Sequence, residues 1–179
     1  MVTRISGSDL AEQAVTGNYV GIPYSKLDCQ GFVEEVLKDC GVRKPDGTPY
    51  NWRGSNSMWR NYIKWKGTIQ ECIDKFGEIP LGAFMFLVKN DGGEKEKGYH
   101  DNEGNASHVG LYVWEDVPNP CMDSQGNRGV DYCKLNVFTH VGLMDMIDYY
   151  NKPIPPEEQP TKEDALKALE TLTKYIVGG

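Results

Sequence analysis

The segment DCQGFV, residues 28–33, places a cysteine in the first turn of a predicted helix. Asp28 is a favourable N-cap residue, because its side chain can accept a hydrogen bond from the unpaired N–H groups of that turn. The same N–H groups and the positive end of the helix dipole favour the thiolate form of a cysteine. Gly31 keeps the turn free of side-chain bulk, so that a substrate or another backbone segment can come close. Cys29 is therefore a candidate nucleophile.

A buried structural side chain is the alternative role for Cys29, since a lone cysteine usually behaves as a small hydrophobic residue. The chain has five cysteines, and we assign that structural role to the other four, Cys40, Cys72, Cys121 and Cys133. An odd total without a CxxC spacing argues against a disulfide framework and against a structural zinc site.

A thiolate nucleophile needs a general base that later acts as an acid, and histidine titrates in the useful pH range. The chain offers three histidines, His100, His108 and His140. His108 begins an alternating segment, HVGLYVW, in which His108 and Gly110 share one face of a predicted strand and the glycine leaves room for the imidazole. His100 lies in a charged, glycine-rich loop at 89–105, which is predicted to be a solvated loop, with a substrate-facing lid as the alternative. His140 has a strand context similar to that of His108, so periodicity alone leaves it as a competitor.

The elements that must position these residues are helices in the first half of the chain and strands in the second. Four helices are predicted to begin near Ser8, Asp28, Ser55 or Ser57, and Gly67. The second helix carries a buried stripe and ends before Gly41; the stripe comprises Cys29, Phe32, Val33, Val36, Leu37 and Cys40.

Strands are predicted at 83–88 and in the segments HVGLYVW, PCMDSQ, GVDYCKL and FTHVGLM, with GNRG as a turn. Helices followed by a run of antiparallel strands make an α+β domain, which we place at residues 1–150. Residues 151–179 are predicted to be a proline-rich joint and an amphipathic helix, whose apolar stripe is formed by Ala165, Leu169, Leu172 and Ile176.

Three segments in order, DCQGFV, GAFMFLV and SHVGLYV, resemble the NlpC family of papain-like bacterial cell-wall cysteine peptidases, and the similarity runs from about Tyr19 to about Tyr149. The resemblance implies a papain-like fold, with N-terminal helices packed on a central antiparallel sheet and the nucleophile at a helix N-terminus. It implies Cys29 as the nucleophile, His108 as the base and Tyr24 as a residue lining the site. The backbone N–H of Cys29 would supply part of the oxyanion hole.

The third catalytic position departs from the family pattern, in which a histidine most often orients the imidazole. Asp123, in CMDSQ, occupies the corresponding place here, and a carboxylate can hold an imidazole N–H equally well. His140 remains the competitor for this role. A second departure is Gln30, where the family usually has serine.

The resemblance implies hydrolysis of peptidoglycan stem peptides, at the bond between the γ-D-glutamyl residue and a diamino acid, without a metal or an organic cofactor. Asp28, Gln30, Trp52 and Trp59 join Tyr24 as predicted substrate-binding or oxyanion residues, with the aromatic side chains lining a groove. Core packing is the alternative for the tryptophan rings, and it is the more common role of such residues. One alternative is the related Cys/His class of N-acetylmuramoyl-L-alanine amidases. Another is an inactive wall-binding or phage structural protein with the same fold.

The net charge of −7 argues against a nucleic-acid partner, because a phosphate-neutralising basic surface is lacking. The first residues lack the pattern of a signal peptide, and no segment has the length and hydrophobicity of a membrane span. The sequence therefore predicts synthesis in the cytoplasm and action on the wall after lysis, phage delivery or another export route. The C-terminal helix is a candidate contact for a phage or wall-targeting partner.

Overall fold

The computed structural model describes residues 4–89 and 102–149 of the 179 residues. His100, most of the loop at 89–105, the proline-rich joint and the C-terminal helix predicted within 151–179 lie outside the described residues. The helices are α1 (Gly7–Thr16), α2 (Cys29–Asp39), α3 (Ser55–Asn61) and α4 (Ile69–Phe76). The strands are β1 (Ile5–Ser6), β2 (Trp65–Thr68), β3 (Phe84–Lys89), β4 (Asn105–Tyr112), β5 (Cys121–Gln125), β6 (Gly129–Cys133), β7 (His140–Leu143) and β8 (Ile147–Asp148), and a short 3₁₀ helix covers Leu135–Val137.

Six strands form one sheet in the order β2-β7-β3-β4-β5-β6, and each neighbouring pair is antiparallel. The short strands β1 and β8 form a separate parallel pair. The architecture is thus α+β, as the sequence predicts. The strand β7 lies inside the sheet, between β2 and β3.

The edge strand β2 was not predicted from the sequence, because the aromatic residues that follow α3 looked like its continuation. The helix ends at Asn61, and the N–H of Lys64 donates to the carbonyl of Leu143, which draws the chain alongside β7. Trp65 then packs edge-on against Phe76 of α4, with ring centroids 4.9 Å apart. A contact between distant segments therefore overrides the local helical pattern.

Helix α2 has the ends and the buried stripe that the sequence predicts. Asp28 accepts a hydrogen bond from the N–H of Gly31 at 2.7 Å. At the other end Gly41 adopts a positive φ of 74°, and the N–H groups of Gly41 and Val42 donate to the carbonyls of Lys38 and Leu37. This pair of bonds is a Schellman motif, which stops the helix. The buried side chains of α2 are Cys29, Phe32, Val33, Val36 and Leu37, while Cys40 is half-buried.

Helix α1 begins earlier than the sequence predicts, and its N-cap is Ser6 rather than Ser8. The Ser6 hydroxyl accepts from the N–H of Asp9 at 3.0 Å, and the Asp9 carboxylate accepts from the N–H of Ser6. This reciprocal capping box needs an acidic side chain three residues after the cap, and Ser8 has none.

The hydrophobic core lies on both faces of the sheet, since successive residues of a strand point to opposite sides. On one face, Phe86, Val109 and Leu111 pack with the helices α1, α2 and α3. On the other face, Met85, Cys121 and Phe138 form a second buried cluster with Cys72 of α4. Within the described ranges, none of the helices has the length and hydrophobicity needed to cross a membrane.

Candidate active site

Cys29 is the first residue of α2 and is 8% exposed. A Cβ atom at Gly31 would lie 3.1 Å from the Asp28 carboxylate and 3.5 Å from Leu27, the two nearest side chains. The glycine therefore makes room for the helix cap, and not for another backbone segment as the sequence suggested. The cap fixes the first turn of the helix, and Cys29 lies at the positive end of the helix dipole.

His108 lies on β4 and is held by two side chains. Its Nε2 atom is 2.7 Å from Oδ2 of Asp123, and because an ionised carboxylate only accepts hydrogen bonds, Nε2 carries the proton and donates it. Phe138 stacks on the imidazole with an interplanar angle of 5° and 5.7 Å between ring centroids. The Nδ1 atom is then the ring nitrogen left for the Cys29 thiol.

Gly110 has a more specific role than the sequence indicates. A Cβ atom there would lie 2.7 Å from the Phe138 ring and 3.1 Å from Cβ of Asp123. The glycine thus leaves room for the two neighbours that hold His108, in addition to the room predicted for the imidazole itself.

A register shift between Leu87 and Val88 also places a β-irregularity beside His108. Such irregularities re-aim side chains next to functional sites.

The protonation of His108 reflects opposing effects. Burial lowers its pKa, but the hydrogen bonds and negative charges of Asp123 and Cys29 outweigh burial and raise the pKa of His108 to about 9. His108 is therefore an imidazolium at neutral pH.

Asp123 is completely buried and lies opposite Gly110 in the β4–β5 ladder. Its Oδ2 atom accepts from Nε2 of Gln125 at 2.9 Å as well as from His108, and its Oδ1 atom accepts from Nη2 of Arg128. Burial by itself raises the pKa of Asp123, but the hydrogen bonds from His108 and Gln125 and the positive charges of His108 and Arg128 lower it overall. Asp123 is therefore a carboxylate that orients His108.

Gln125 and Arg128 were missed by the sequence analysis. Gln125 lies two residues after Asp123, and residues at that spacing share one face of a strand. Arg128 lies in GNRG, which was interpreted only as a turn. The sequence offered no signal that this arginine folds back onto Asp123, because the contact depends on the geometry of the β5–β6 turn.

His140 lies on β7, and its hydrogen-bonding partner is Thr139, whereas the partner of His108 is Asp123. Its Nδ1 atom is 2.8 Å from the Thr139 hydroxyl, and its ring packs edge-on against Trp59 with 5.5 Å between centroids. Burial lowers the pKa of His140, partly opposed by the charge of Glu71. Of the two competitors for the third position, the structure thus brings Asp123 against His108.

Tyr24 is close to Cys29 and is 39% exposed. Burial and the negative charges of Cys29 and Asp28 raise the pKa of its hydroxyl. The phenol therefore stays protonated beside the sulfur and can donate a hydrogen bond to a developing oxyanion.

The segment that carries Tyr24 and leads to Cys29 is attached to strands β5 and β6. The N–H of Gly21 donates to the carbonyl of Val130 and the N–H of Val130 donates to the carbonyl of Ile22, both at 2.9 Å. The Ser124 hydroxyl donates to the carbonyl of Leu27 at 2.6 Å. The strand that supplies Asp123 therefore also positions the approach to the nucleophile.

Three of the predicted binding residues have structural positions instead. Gln30 accepts from the N–H of Gly54 and donates to Glu34 at 2.8 Å and to the carbonyl of Trp52, so its amide holds a loop against α2. Trp52 is 4% exposed and Trp59 is 2% exposed, and both pack in the core against other aromatic rings. The prediction that these tryptophans line an open groove is wrong, since their rings are too deeply buried to meet a substrate.

No family model, no curated protein and no solved structure matches this chain. The functional interpretation therefore depends on the geometry of the site and on the motifs of the sequence. The motifs indicate Cys29 and His108, and the geometry brings Asp123 against His108.

Proposed function

We propose that this chain is a cysteine peptidase of papain-like fold that hydrolyses peptidoglycan stem peptides, at the bond between the γ-D-glutamyl residue and a diamino acid. One observation carries the proposal: Cys29 at a helix N-terminus, the His108 imidazole and the buried Asp123 carboxylate lie together. These residues come from three elements, of which α2 is far from β4 and β5 in the sequence. A buried carboxylate, an imidazole and a thiol in series are the components of nucleophilic acyl transfer.

The acylation step begins with attack of the Cys29 thiolate on the scissile carbonyl. The backbone N–H of Cys29 and the Tyr24 hydroxyl stabilise the oxyanion. The His108 imidazolium then donates its Nδ1 proton to the leaving amine as the C–N bond breaks, which leaves a thioester on Cys29 and a neutral imidazole.

The deacylation step uses the same groups in the reverse protonation states. Neutral His108 takes a proton from a water molecule, which attacks the thioester carbonyl. The C–S bond breaks, the peptide leaves as a carboxylic acid, and the thiolate–imidazolium pair is restored. Throughout, Asp123 keeps Nε2 protonated and Nδ1 directed toward Cys29.

The assignment to peptidoglycan rests on the resemblance of the three motifs. Because Trp52 and Trp59 are buried, substrate binding is assigned to other residues. Tyr24 is the predicted binding residue that is both close to Cys29 and well exposed. Asp28 contributes through the cap of α2, and Gln30 contributes by holding the adjacent loop. Substrate contact is therefore proposed for Tyr24 and the first turn of α2.

A digest of purified peptidoglycan tests this proposal. The full chain should release fragments with a new N-terminal diamino acid, identified by mass spectrometry, and Cys29→Ala should release none while keeping its circular dichroism spectrum. Cys72→Ala is a matched control, because Cys72 is also a buried helical cysteine but lies in the second hydrophobic cluster. Cys72→Ala should retain activity.

The other outcomes of the digest contradict the proposal in distinguishable ways. Free lactyl groups on the sugars would indicate the amidase reaction. Binding to the wall without any cleavage would indicate an inactive wall-binding protein. Equal clearing by the wild type and Cys29→Ala would show that the cysteine is not the nucleophile.

A further inference from the structure

The two oxygens of the Asp123 carboxylate bind two different cationic side chains, His108 and Arg128. Its Oδ2 atom receives hydrogen bonds from His108 at 2.7 Å and from Gln125 at 2.9 Å, while Oδ1 receives the Arg128 guanidinium. The carboxylate is completely buried. Each oxygen therefore has a defined donor, and the orientation that Oδ2 presents to His108 depends on what holds Oδ1.

Arg128 is fixed independently of Asp123. Its Nη1 atom donates to the carbonyl of Tyr132 at 3.1 Å and lies 3.8 Å from Oδ2 of Asp131. The following residue, Gly129, has a φ of 70°, and a Cβ there would lie 2.1 Å from the carbonyl oxygen of Ile22. The turn that carries Arg128 thus packs closely against the segment that leads to Tyr24 and Cys29.

We propose that Arg128 is a positioning residue of the candidate site. It holds Asp123 so that Oδ2 faces His108, and its positive charge partly neutralises the carboxylate. The role of this site in peptide hydrolysis rests on the proposed function, but the contact itself does not. Arg128 acts through Asp123 and does not touch the reacting atoms.

The expected effect has a definite sign, because Arg128 and His108 compete for one negative charge. The titratable groups that face His108 are Cys29 from α2 and Asp123 from β5. Arg128 faces Asp123 from the turn, with Asp131 of β6 beside it. Phe138 covers the imidazole and has no charge. Removing the charge of Arg128 leaves more of the Asp123 charge to His108, so that His108 should bind its proton more tightly.

Nuclear magnetic resonance titration of the histidines in the full chain tests the inference, and three histidines make the assignment tractable. Arg128→Gln can still donate a hydrogen bond but has no charge, and it should raise the midpoint of His108 by roughly half a pH unit or more. Arg128→Lys, which keeps the charge, should leave the midpoint near that of the wild type. Arg43→Gln is the matched control, because Arg43 binds the carbonyls of Lys38 and Val42 at the far end of α2.

The titration needs no substrate, so its outcome is separate from that of the peptidoglycan digest. An unchanged or lowered His108 midpoint in a folded Arg128→Gln variant would overturn the inference. If the digest shows hydrolysis, Arg128→Ala should also lower kcat/KM by about tenfold, which corresponds to roughly 1.4 kcal/mol of transition-state stabilisation. Full activity in Arg128→Ala would contradict a positioning role even if the charge effect is found.

Discussion

The tetrapeptide HVGL occurs twice, at residues 108–111 in β4 and at 140–143 in β7, and the two copies pair with β3 in different registers. Both strands flank β3, but His108 lies opposite Leu87 whereas His140 lies opposite Phe86. Directly paired residues share a face of the sheet, and Leu87 and Phe86 point to opposite faces. A register difference of one residue therefore sends the two imidazoles to different surroundings.

The pKa values of the two histidines are therefore shifted in opposite directions from the ordinary value. His108 meets the Asp123 carboxylate and the Cys29 thiol, and its pKa rises to about 9. His140 meets Trp59 and the Thr139 hydroxyl, and burial lowers its pKa. Identical local sequence thus yields one candidate catalytic histidine and one half-buried histidine packed against Trp59, because the cross-strand neighbours decide the chemistry.

Replacing each histidine should give the largest contrast. His108→Ala should reduce kcat/KM for stem-peptide hydrolysis by about a thousandfold, since it removes both the acid and the base. His140→Ala should change it little, because His140 lies away from Cys29. Assays of both variants on soluble muropeptides measure the ratio, and a similar loss in the two would break the distinction between the strands.

Replacing Asp123, the partner of His108, should shift the pH dependence of kcat. Asp123→Asn removes a negative charge, so the pKa of His108 should fall below about 9 and the alkaline limb of kcat should move to lower pH. The rate at the new optimum should also fall by about a hundredfold, because the asparagine amide holds the imidazole less well. An alkaline limb that stays in place in a folded variant would show that Asp123 does not set the proton affinity of His108.

The two glycines of the repeat offer a matched comparison of packing. Gly110→Ala would put a methyl group 2.6 Å from the carbonyl oxygen of Met122, whereas Gly142→Ala would put one 2.8 Å from the Phe86 ring. Overpacking should lower the free energy of unfolding by about 1–3 kcal/mol, and more at Gly110, because a backbone oxygen moves less readily than a ring. Urea unfolding measures both values, and a milder effect at Gly110 would contradict this order.

The smallest expected effect is on the pH dependence of stability. The pKa of His108 in the folded chain lies above its ordinary 6.5, so its contribution is fully present below pH 6.5 and is lost as the pH rises through about 9. The folded pKa of His140 is lowered, so its contribution is present above pH 6.5 and is lost as the pH falls. Urea unfolding should show, on the order of 1 kcal/mol, a smaller alkaline loss in His108→Gln and a smaller acidic loss in His140→Gln.

That comparison of each variant with the wild type removes the contributions of titrating groups that do not interact with the replaced histidine. Parallel stability curves for His108→Gln and the wild type between pH 7 and 10 would contradict the raised pKa of His108. Parallel curves for His140→Gln and the wild type below pH 6.5 would contradict the lowered pKa of His140.

Local features of the molecule could be predicted well from the sequence. The cap at Asp28 and the helical stop at Gly41 depend on contacts between residues at most five positions apart, and the apolar stripe of α2 follows from helical periodicity. Strand alternation in β4 likewise follows from the period of two residues. The position of β2 could not be predicted in this way, because its pairing with β7 joins residues more than seventy positions apart.

The sequence by itself determined the α+β class and the place of Cys29 in the first turn of a capped helix, since capping and hydrophobic periodicity are local properties of the chain. Only the tertiary structure decided that His108 and not His140 meets Asp123, that Arg128 holds the other carboxylate oxygen, and that Trp52 and Trp59 are buried. The physical reason is strand register: a shift of one residue across β3 exchanges the two faces of the sheet, and the tetrapeptide alone carries no record of that shift.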